Sequence, residues 1–126
     1  KQAFPAELPN KFVVDRQALI TAIKRVALVA PDDNLRIHFD LDSDRFEVNT
    51  SNRDTGEAKE NMDNFTFAGS STGVSFNYKY MLSILEAIDT EKVVIKLGTS
   101  KDAMMIYNET PVPDQEITFL LMPLRS

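Results

Sequence analysis

The sequence predicts an α+β fold made of two β-α-β-β-β units, in which two helices pack on antiparallel sheets. The first observation is a repeated opening, because residues 12–16 and 74–78 each lead from a strand-like stretch into an amphipathic helix. The second is that three strand-like runs follow each helix. We therefore expect one domain over 1–126, with an extended segment from a preceding domain at 1–10, a first half at 11–69 and a second half at 73–126.

The composition is typical of a single globular domain. The 126 residues are 43% hydrophobic, which is enough to bury a core, and with no Cys neither a disulfide framework nor a thiolate zinc site is expected. No apolar run approaches the roughly 20 residues that span a membrane, and residues 1–10 lack the apolar core of a signal peptide. Lys1 in place of Met predicts a fragment or a processed product.

Each predicted helix has a polar cap and an apolar stripe. Asp15 is the expected N-cap of a first helix that runs to about Ala30, and Asn77 is the expected N-cap of the second. At about 100° per residue, the apolar residues of each helix fall on one face. They are Leu19, Ile20, Ile23, Val26 and Ala27 in the first helix, and Met81, Leu82, Ile84, Leu85 and Ile88 in the second.

Apolar and alternating runs predict the strands. The clearest lies at 35–41, where every second residue is apolar, as in a half-buried strand. Strands are expected at 11–14, 35–41, 45–51 and 57–67 in the first half, and at 93–97, 103–107 and 116–122 in the second.

The first helix carries a basic face and a displaced apolar residue. Residues 15–29 hold three basic side chains and one acidic one, although the whole chain has a net charge of −5. Such a face is either simply solvated or in contact with phosphate. Leu28, flanked by Val29, lies on the polar side, and it marks either a contact with another chain or a helix end tucked under a loop.

Two further segments each allow two interpretations. Asp54, Glu57 and Glu60 form an acidic patch that either protects a sheet edge by charge or contacts a basic partner. If 57–60 is a strand, Glu57 and Lys59 share one face and Glu60 lies on the other. The apolar run at 117–126 is either plain core or a peptide-binding surface, since Met adapts well to peptides.

No residue pattern indicates catalysis, a metal site or a cofactor. The Asp-x-Asp-x-Asp run at 40–44 resembles the start of a calcium loop, but Arg45 and Ser51 stand where Gly and Glu are needed, so a hairpin turn is expected. His38, the single histidine, is expected to have a packing or surface role. No Ser is expected to have a nearby base and no Gly-rich stretch precedes a helix, so an enzyme is not expected.

Four short motifs run through the chain in a fixed order and spacing. They are Val14-Asp15-Arg16-x-x-Leu19 with Lys24-Arg25-Val26; Gly56-Glu57-Ala58-x-Glu60; Phe76-Asn77-x-x-Tyr80 with Leu82 and Leu85; and Met122-Pro123-Leu124-Arg125. Together they resemble the C-terminal (third) domain of the bacterial DNA polymerase III beta subunit, the sliding clamp. The resemblance covers essentially all of the chain.

The resemblance implies a DNA-clamp (processivity) fold and a non-catalytic role in DNA replication. In this family two three-domain subunits close head-to-tail into a homodimeric ring around duplex DNA, with the helices lining the hole. The implied DNA-facing residues are Lys24, Arg25 and Lys79, which would meet phosphates without reading the sequence. The implied location is the bacterial cytoplasm, in association with the nucleoid, with no membrane partner and no cofactor.

The resemblance also implies a subunit interface. Leu28 and Val29, at the end of the first helix, would form its apolar part. Asp54, Glu57 and Glu60 would form its acidic part, facing basic residues of the other subunit. Gly56 and Lys59 stand at positions that are often acidic in relatives.

A second implied contact is a groove beside the C-terminus for a Gln-Leu-x-Leu-Phe-like peptide. The replicative polymerase, the clamp loader and repair proteins carry such peptides. Gln2 stands where an Arg is familiar, and Ser126 replaces a terminal apolar residue. The matching groove positions are Gln2, Ala3, Asn77, Tyr80, Leu120, Met122, Pro123, Leu124 and Arg125.

The alternative function is a stand-alone protein-interaction module that uses the same C-terminal groove and has no role on DNA. The mass of the full-length protein in gel filtration, together with its loading on DNA, would separate the two functions.

Overall fold

Nine strands and two helices form within the described part of the chain. The computed structural model describes residues 10–29, 35–52, 56–63, 65–69, 71–97, 104–109 and 117–122. The first half contains β1 (Asn10–Asp15), α1 (Arg16–Ala27), β2 (Arg36–Leu41), β3 (Phe46–Asn52), β4 (Gly56–Asn61) and β5 (Phe65–Ala68). The second half contains β6 (Thr72–Asn77), α2 (Tyr78–Ala87), β7 (Lys92–Leu97), β8 (Met104–Asn108) and β9 (Thr118–Leu121).

The two halves exchange their opening strands. All pairings are antiparallel, and the strand orders are β5-β1-β7-β8-β9 in one sheet and β4-β3-β2-β6 in the other. β1 therefore pairs with β7 of the second half, and β6 pairs with β2 of the first half. This exchange ties the two β-α-β-β-β units into one core and confirms the predicted fold class.

The prediction of a single strand at 57–67 is wrong, because this segment forms two strands that lie in different sheets. β4 pairs with β3, whereas β5 pairs with β1. The change of sheet follows Met62, whose side chain is buried and whose backbone N–H donates to the carbonyl of Phe46 at 2.8 Å. Burying Met62 there fixes the point at which the chain leaves one sheet for the other.

The helices begin at the predicted caps. The carboxylate of Asp15 accepts a hydrogen bond from the backbone N–H of Ala18 at 2.8 Å, and the amide oxygen of Asn77 accepts one from Lys79 at 2.9 Å. α1 ends at Ala27 instead of near Ala30, which lies outside the described residues. The predicted apolar stripes are buried, except that Ala27, Leu82 and Ile84 are only partly buried against the core.

The core between the two sheets is built on aromatic side chains. Phe12 from β1 meets Phe46 from β3 edge to face, with ring centroids 4.9 Å apart. Phe39 from β2 lies 4.9 Å from Phe46 and 4.6 Å from Phe76 of β6. These contacts are the preferred aromatic geometry, and they join both sheets in one buried cluster.

Candidate functional site

An apolar groove lies between α2 and the end of β9. The groove is open to solvent and has a volume of about 540 Å³. Tyr80 and Met122 are 63% and 62% exposed at this groove, and Leu120 is 38% exposed. Large apolar side chains that cluster around a cavity and remain in water indicate a protein-binding surface. The lining residues are Asn77, Tyr80, Ser83, Ile84, Leu120, Leu121 and Met122.

Two elements position the groove. Tyr80, Ser83 and Ile84 are spaced i, i+3, i+4 on α2, so they share one face of that helix. On the other wall, alternation along β9 buries Leu121 and leaves Leu120 exposed. The run at 117–126 is therefore neither all core nor all surface, since its described part contains the buried Leu121 and the exposed Ile117, Leu120 and Met122.

Four of the residues predicted for the peptide groove line this cavity. The structure brings together Asn77, Tyr80, Leu120 and Met122. The other predicted positions, Gln2, Ala3, Pro123, Leu124 and Arg125, lie outside the described residues.

The prediction missed Ser83, Ile84 and Leu121. Ile84 was assigned to the buried stripe of α2, but it lies at the border of that stripe and also lines the groove. The helical spacing from Tyr80 was the sequence signal that could have identified Ser83 and Ile84.

The end of α1 presents an exposed apolar side chain. Leu28 is 85% exposed just after the last turn of α1, and the half-buried Val29 donates its backbone N–H to Val26 at 3.1 Å. This exposure of Leu28 is incompatible with the alternative in which the helix end is tucked under a loop. A leucine held so far into solvent favours contact with another chain.

The described acidic residues of the predicted interface lie on β4, at the edge of its sheet. Lys59 Nζ lies 3.6 Å from Glu57 Oε1, as expected for two residues on one face of a strand. Glu60 reaches from β4 toward α1, where its Oε1 lies 3.4 Å from Nη1 of Arg25. Asp54 lies outside the described residues. The two acidic residues of the predicted interface that the structure describes, Glu57 and Glu60, are therefore paired within this chain.

The three residues predicted to face DNA are exposed, and two of them form ion pairs. Arg25 pairs with Glu60, and Lys24 Nζ lies 3.6 Å from Glu86 Oε2 on α2. Lys79, in the first turn of α2, has no ion-pair partner among the residues that the structure describes. Among the described residues, Lys24 and Arg25 of α1 are therefore paired with acids, whereas Lys79 is not.

The turn between β2 and β3 is the predicted hairpin. Asp42 Oδ1 accepts a hydrogen bond from the backbone N–H of Asp44 at 2.8 Å, and the backbones of Asp42 and Arg45 bond to each other. Within the described ranges no three His, Cys, Asp or Glu side chains are grouped as metal ligands. Neither helix of that part of the chain is long and apolar enough to cross a membrane.

A family profile described as the DNA polymerase III beta subunit, C-terminal domain, matches residues 1–125. The chain belongs to this family. Among curated relatives, the beta sliding clamp of Staphylococcus aureus (strain Mu50 / ATCC 700699) is 31% identical over 125 residues. The beta sliding clamp of Synechococcus elongatus is 26% identical over 126 residues. Each alignment covers 98% of this chain and 32% of the relative.

Solved sliding clamps have the same fold. The DnaN sliding clamp of Pseudomonas aeruginosa, bound to griselimycin, superposes with a TM-score of 0.90 at 25% identity, over 99% of this chain and 33% of that one. The beta subunit of Thermotoga maritima gives a TM-score of 0.88 at 23% identity, over 97% of this chain and 32% of that one. The chain therefore spans about a third of the length of these clamps.

Gly56, the first residue of β4, has a backbone conformation that favours glycine. Its φ of 101° is in the left-handed region, which a residue with a side chain adopts only at a cost. Any side chain at this position, acidic or not, would be strained in this backbone.

The expectation that no Ser has a nearby base is wrong. Ser75 on β6 lies opposite His38 on β2, and Ser75 Oγ is 2.8 Å from His38 Nδ1. His38 Nε2 lies 3.1 Å from Asp40 Oδ1, and Asp40 also accepts a hydrogen bond from Asn49. Gly73, opposite Asp40, leaves room for the imidazole ring of His38. A Cβ at position 73 would lie only 2.9 Å from His38 Nε2.

This network connects two neighbouring strands of one sheet. Ser75 is 8% exposed in the middle of β6, so its hydroxyl offers little access to a substrate. The Ser75–His38–Asp40 contacts therefore join β6 to β2 across the sheet, in addition to the backbone ladder.

Proposed function

We propose that this chain is the C-terminal domain of a sliding clamp that confers processivity on a replicative DNA polymerase. In this proposal the full-length protein encircles duplex DNA as a head-to-tail homodimer. It holds the polymerase, the clamp loader and repair proteins through short peptides that bind the groove. The single observation that carries the proposal is the apolar groove of Tyr80, Leu120 and Met122, in a chain that belongs to the sliding clamp family.

The chemistry of the groove suits a short peptide with apolar side chains. Its walls are aliphatic and aromatic, and the polar groups at its border are Asn77, Ser83 and the hydroxyl of Tyr80. Leucine and phenylalanine side chains of a Gln-Leu-x-Leu-Phe-like peptide would cover Tyr80 and Met122. Gln2, Ala3 and 123–125 are the other positions predicted to contact the peptide.

The subunit interface is proposed at the end of α1 and the edge of β4. Leu28 offers an exposed apolar side chain, and its burial against a second subunit would remove apolar surface from water and so favour association. Glu57 and Glu60 would then face basic residues of the second subunit. Charge pairs of this kind orient the encounter and raise its rate more than they add affinity.

The contact with DNA is proposed to be weak and to rely on phosphates. The chain is acidic overall, so DNA would be met only where α1 and α2 present Lys24, Arg25 and Lys79. Few phosphate contacts that read no bases allow a ring to slide, and they make binding strongly salt-dependent.

A stand-alone interaction module remains the second candidate, because the groove would serve it equally well. The end of α1 discriminates between the two. A ring requires an apolar contact between its subunits, which Leu28, at 85% exposed, would supply, whereas a stand-alone module does not require one.

The direct test of the groove is an NMR titration of the labelled full-length protein with a Gln-Leu-Ser-Leu-Phe peptide and a scrambled peptide. We expect sequence-specific shifts at Tyr80, Ser83, Ile84 and Met122. Equal shifts with both peptides, or shifts confined to other surfaces, would refute the assignment of the groove.

A further inference from the structure

Arg25 and Glu60 form an ion pair, although the proposed function assigns them to different partners. Nη1 of Arg25 lies 3.4 Å from Oε1 of Glu60. Arg25 is on α1, which is proposed to face DNA phosphates, and Glu60 is on β4, which is proposed to face the second subunit. One residue therefore neutralises the other while neither partner is present.

We propose that this pair exchanges its partners and thereby couples ring closure to DNA contact; the inference rests on the proposed function. A basic residue of the second subunit that approaches Glu60 shares the single negative charge with Arg25, so the attraction between Arg25 and Glu60 weakens. Arg25 is then released toward phosphate. By linkage, a phosphate that binds Arg25 leaves Glu60 fully available to the second subunit.

The geometry suits exchange. The contact is long and uses one carboxylate oxygen, unlike the short bidentate contacts that hold an arginine firmly. The Arg25 and Glu60 side chains are 64% and 32% exposed, and exposed pairs are easily displaced. Both side chains also line a cleft of about 920 Å³ between α1 and the β4–β5 connection, which gives the guanidinium room to move.

A neighbouring pair provides a matched comparison. Lys24 precedes Arg25 on α1 and pairs with Glu86 at 3.6 Å, and these side chains are 59% and 55% exposed. Glu86 lies on α2 and is not among the proposed interface residues. The Lys24→Gln variant therefore measures how the loss of one positive charge on α1 affects dimer formation at long range. It does so without freeing Glu60, the proposed interface acid.

The test is the dissociation constant of the full-length dimer in DNA-free buffer of low ionic strength, measured by sedimentation. The variants are Arg25→Gln, Lys24→Gln, Glu60→Gln and the double variant Arg25→Gln/Glu60→Gln. Glu60→Gln should raise the constant about threefold, because it removes a contact with the partner. Arg25→Gln should lower the constant about threefold relative to Lys24→Gln, because it frees Glu60. This gain should vanish when Glu60 is also replaced.

The outcomes separate the coupling from the proposed function. If Arg25→Gln is no tighter than Lys24→Gln while Glu60→Gln still weakens the dimer, the coupling is wrong and the interface stands. A gain that persists in the double variant would also overturn the coupling, since it could not act through Glu60. A wild-type protein that stays monomeric would overturn both the coupling and the proposed ring.

Discussion

Arg16, the first residue of α1, donates a hydrogen bond from its guanidinium to the carbonyl of Leu85 near the end of α2, at 3.0 Å. Its Nε also donates to the carbonyl of Thr90 at 2.8 Å. One cation therefore satisfies carbonyls at and beyond the C-terminal end of α2, where the helix dipole favours positive charge. The contact fixes the start of one helix to the end of the other, so the two faces proposed to meet DNA keep their relative position.

Replacement of Arg16 should reduce stability more than its position near the surface suggests. Arg16→Met removes both hydrogen bonds while keeping much of the aliphatic length, and we expect a loss of about 2 kcal/mol in the free energy of unfolding. Arg16→Lys, which keeps the charge but cannot donate in the same geometry, should lose less. Urea denaturation followed by circular dichroism measures both. A Met variant as stable as wild type would show that the two contacts contribute nothing.

Ile84 should contribute to peptide binding, although the helical spacing of α2 predicts that its side chain belongs to the buried core. Ile84→Ala enlarges the groove and removes apolar contact area, so we expect a loss of about tenfold in affinity for a Gln-Leu-Ser-Leu-Phe peptide. Leu82→Ala is the matched control, because Leu82 is also partly buried against the core but does not line the groove. Calorimetric titration of both variants checks the expectation. Equal losses would mean that stability, and not the groove, controls binding.

Leu28 should control subunit association. A carboxylate in place of this exposed side chain would have to be buried in the apolar part of the interface. Leu28→Asp should therefore raise the dimer dissociation constant at least tenfold. The double variant Leu28→Asp/Val29→Asp should yield a monomer. Ser83→Asp supplies the control, since it adds the same charge in the groove and should impair peptide binding only. Analytical ultracentrifugation of the full-length protein makes the comparison. A double variant that stays dimeric would place the interface elsewhere.

Lys79 should contribute more to DNA binding than Lys24. Lys24 is already paired with Glu86, whereas Lys79 has no ion-pair partner within the described ranges. Lys79→Gln should lower the slope of log affinity against log salt by about 1, and Lys24→Gln should lower it less. Glu86→Gln should strengthen binding, because it frees Lys24. Fluorescence anisotropy with two duplexes of unrelated sequence measures these slopes. A strong preference between the duplexes would contradict phosphate-only contact.

The fold was largely predictable because its signals are local. The caps at Asp15 and Asn77 and the apolar stripes of α1 and α2 depend on spacings of a few residues, and these were confirmed. The split of 57–67 into two strands was not predictable, since it depends on which distant strands β4 and β5 pair with. The contact of His38 with Ser75 was missed for the same reason, because 37 positions separate the two residues in the chain.

The candidate site was predictable in part. The family resemblance predicted that Tyr80, Leu120 and Met122 lie together, and they line one cavity. The place of Leu28 on the polar face of α1 predicted that it is exposed, as it is. The pairing of Arg25 with Glu60 was not expected, because the charges lie on different elements, 35 positions apart. Two residues assigned to separate partners thus proved to be neighbours, which only the packing of α1 beside β4 reveals.

The measurement that tests the central claim most directly is the retention of the full-length protein on DNA of different topology. The protein is assembled by its clamp loader and ATP on a nicked circular plasmid, isolated by gel filtration, and challenged with a nuclease that linearises the plasmid. A ring held by topology should stay on the circle at moderate salt and slide off once the plasmid is linear. Equal retention on circular and linear DNA would mean that local contacts hold the protein, and it would contradict encirclement.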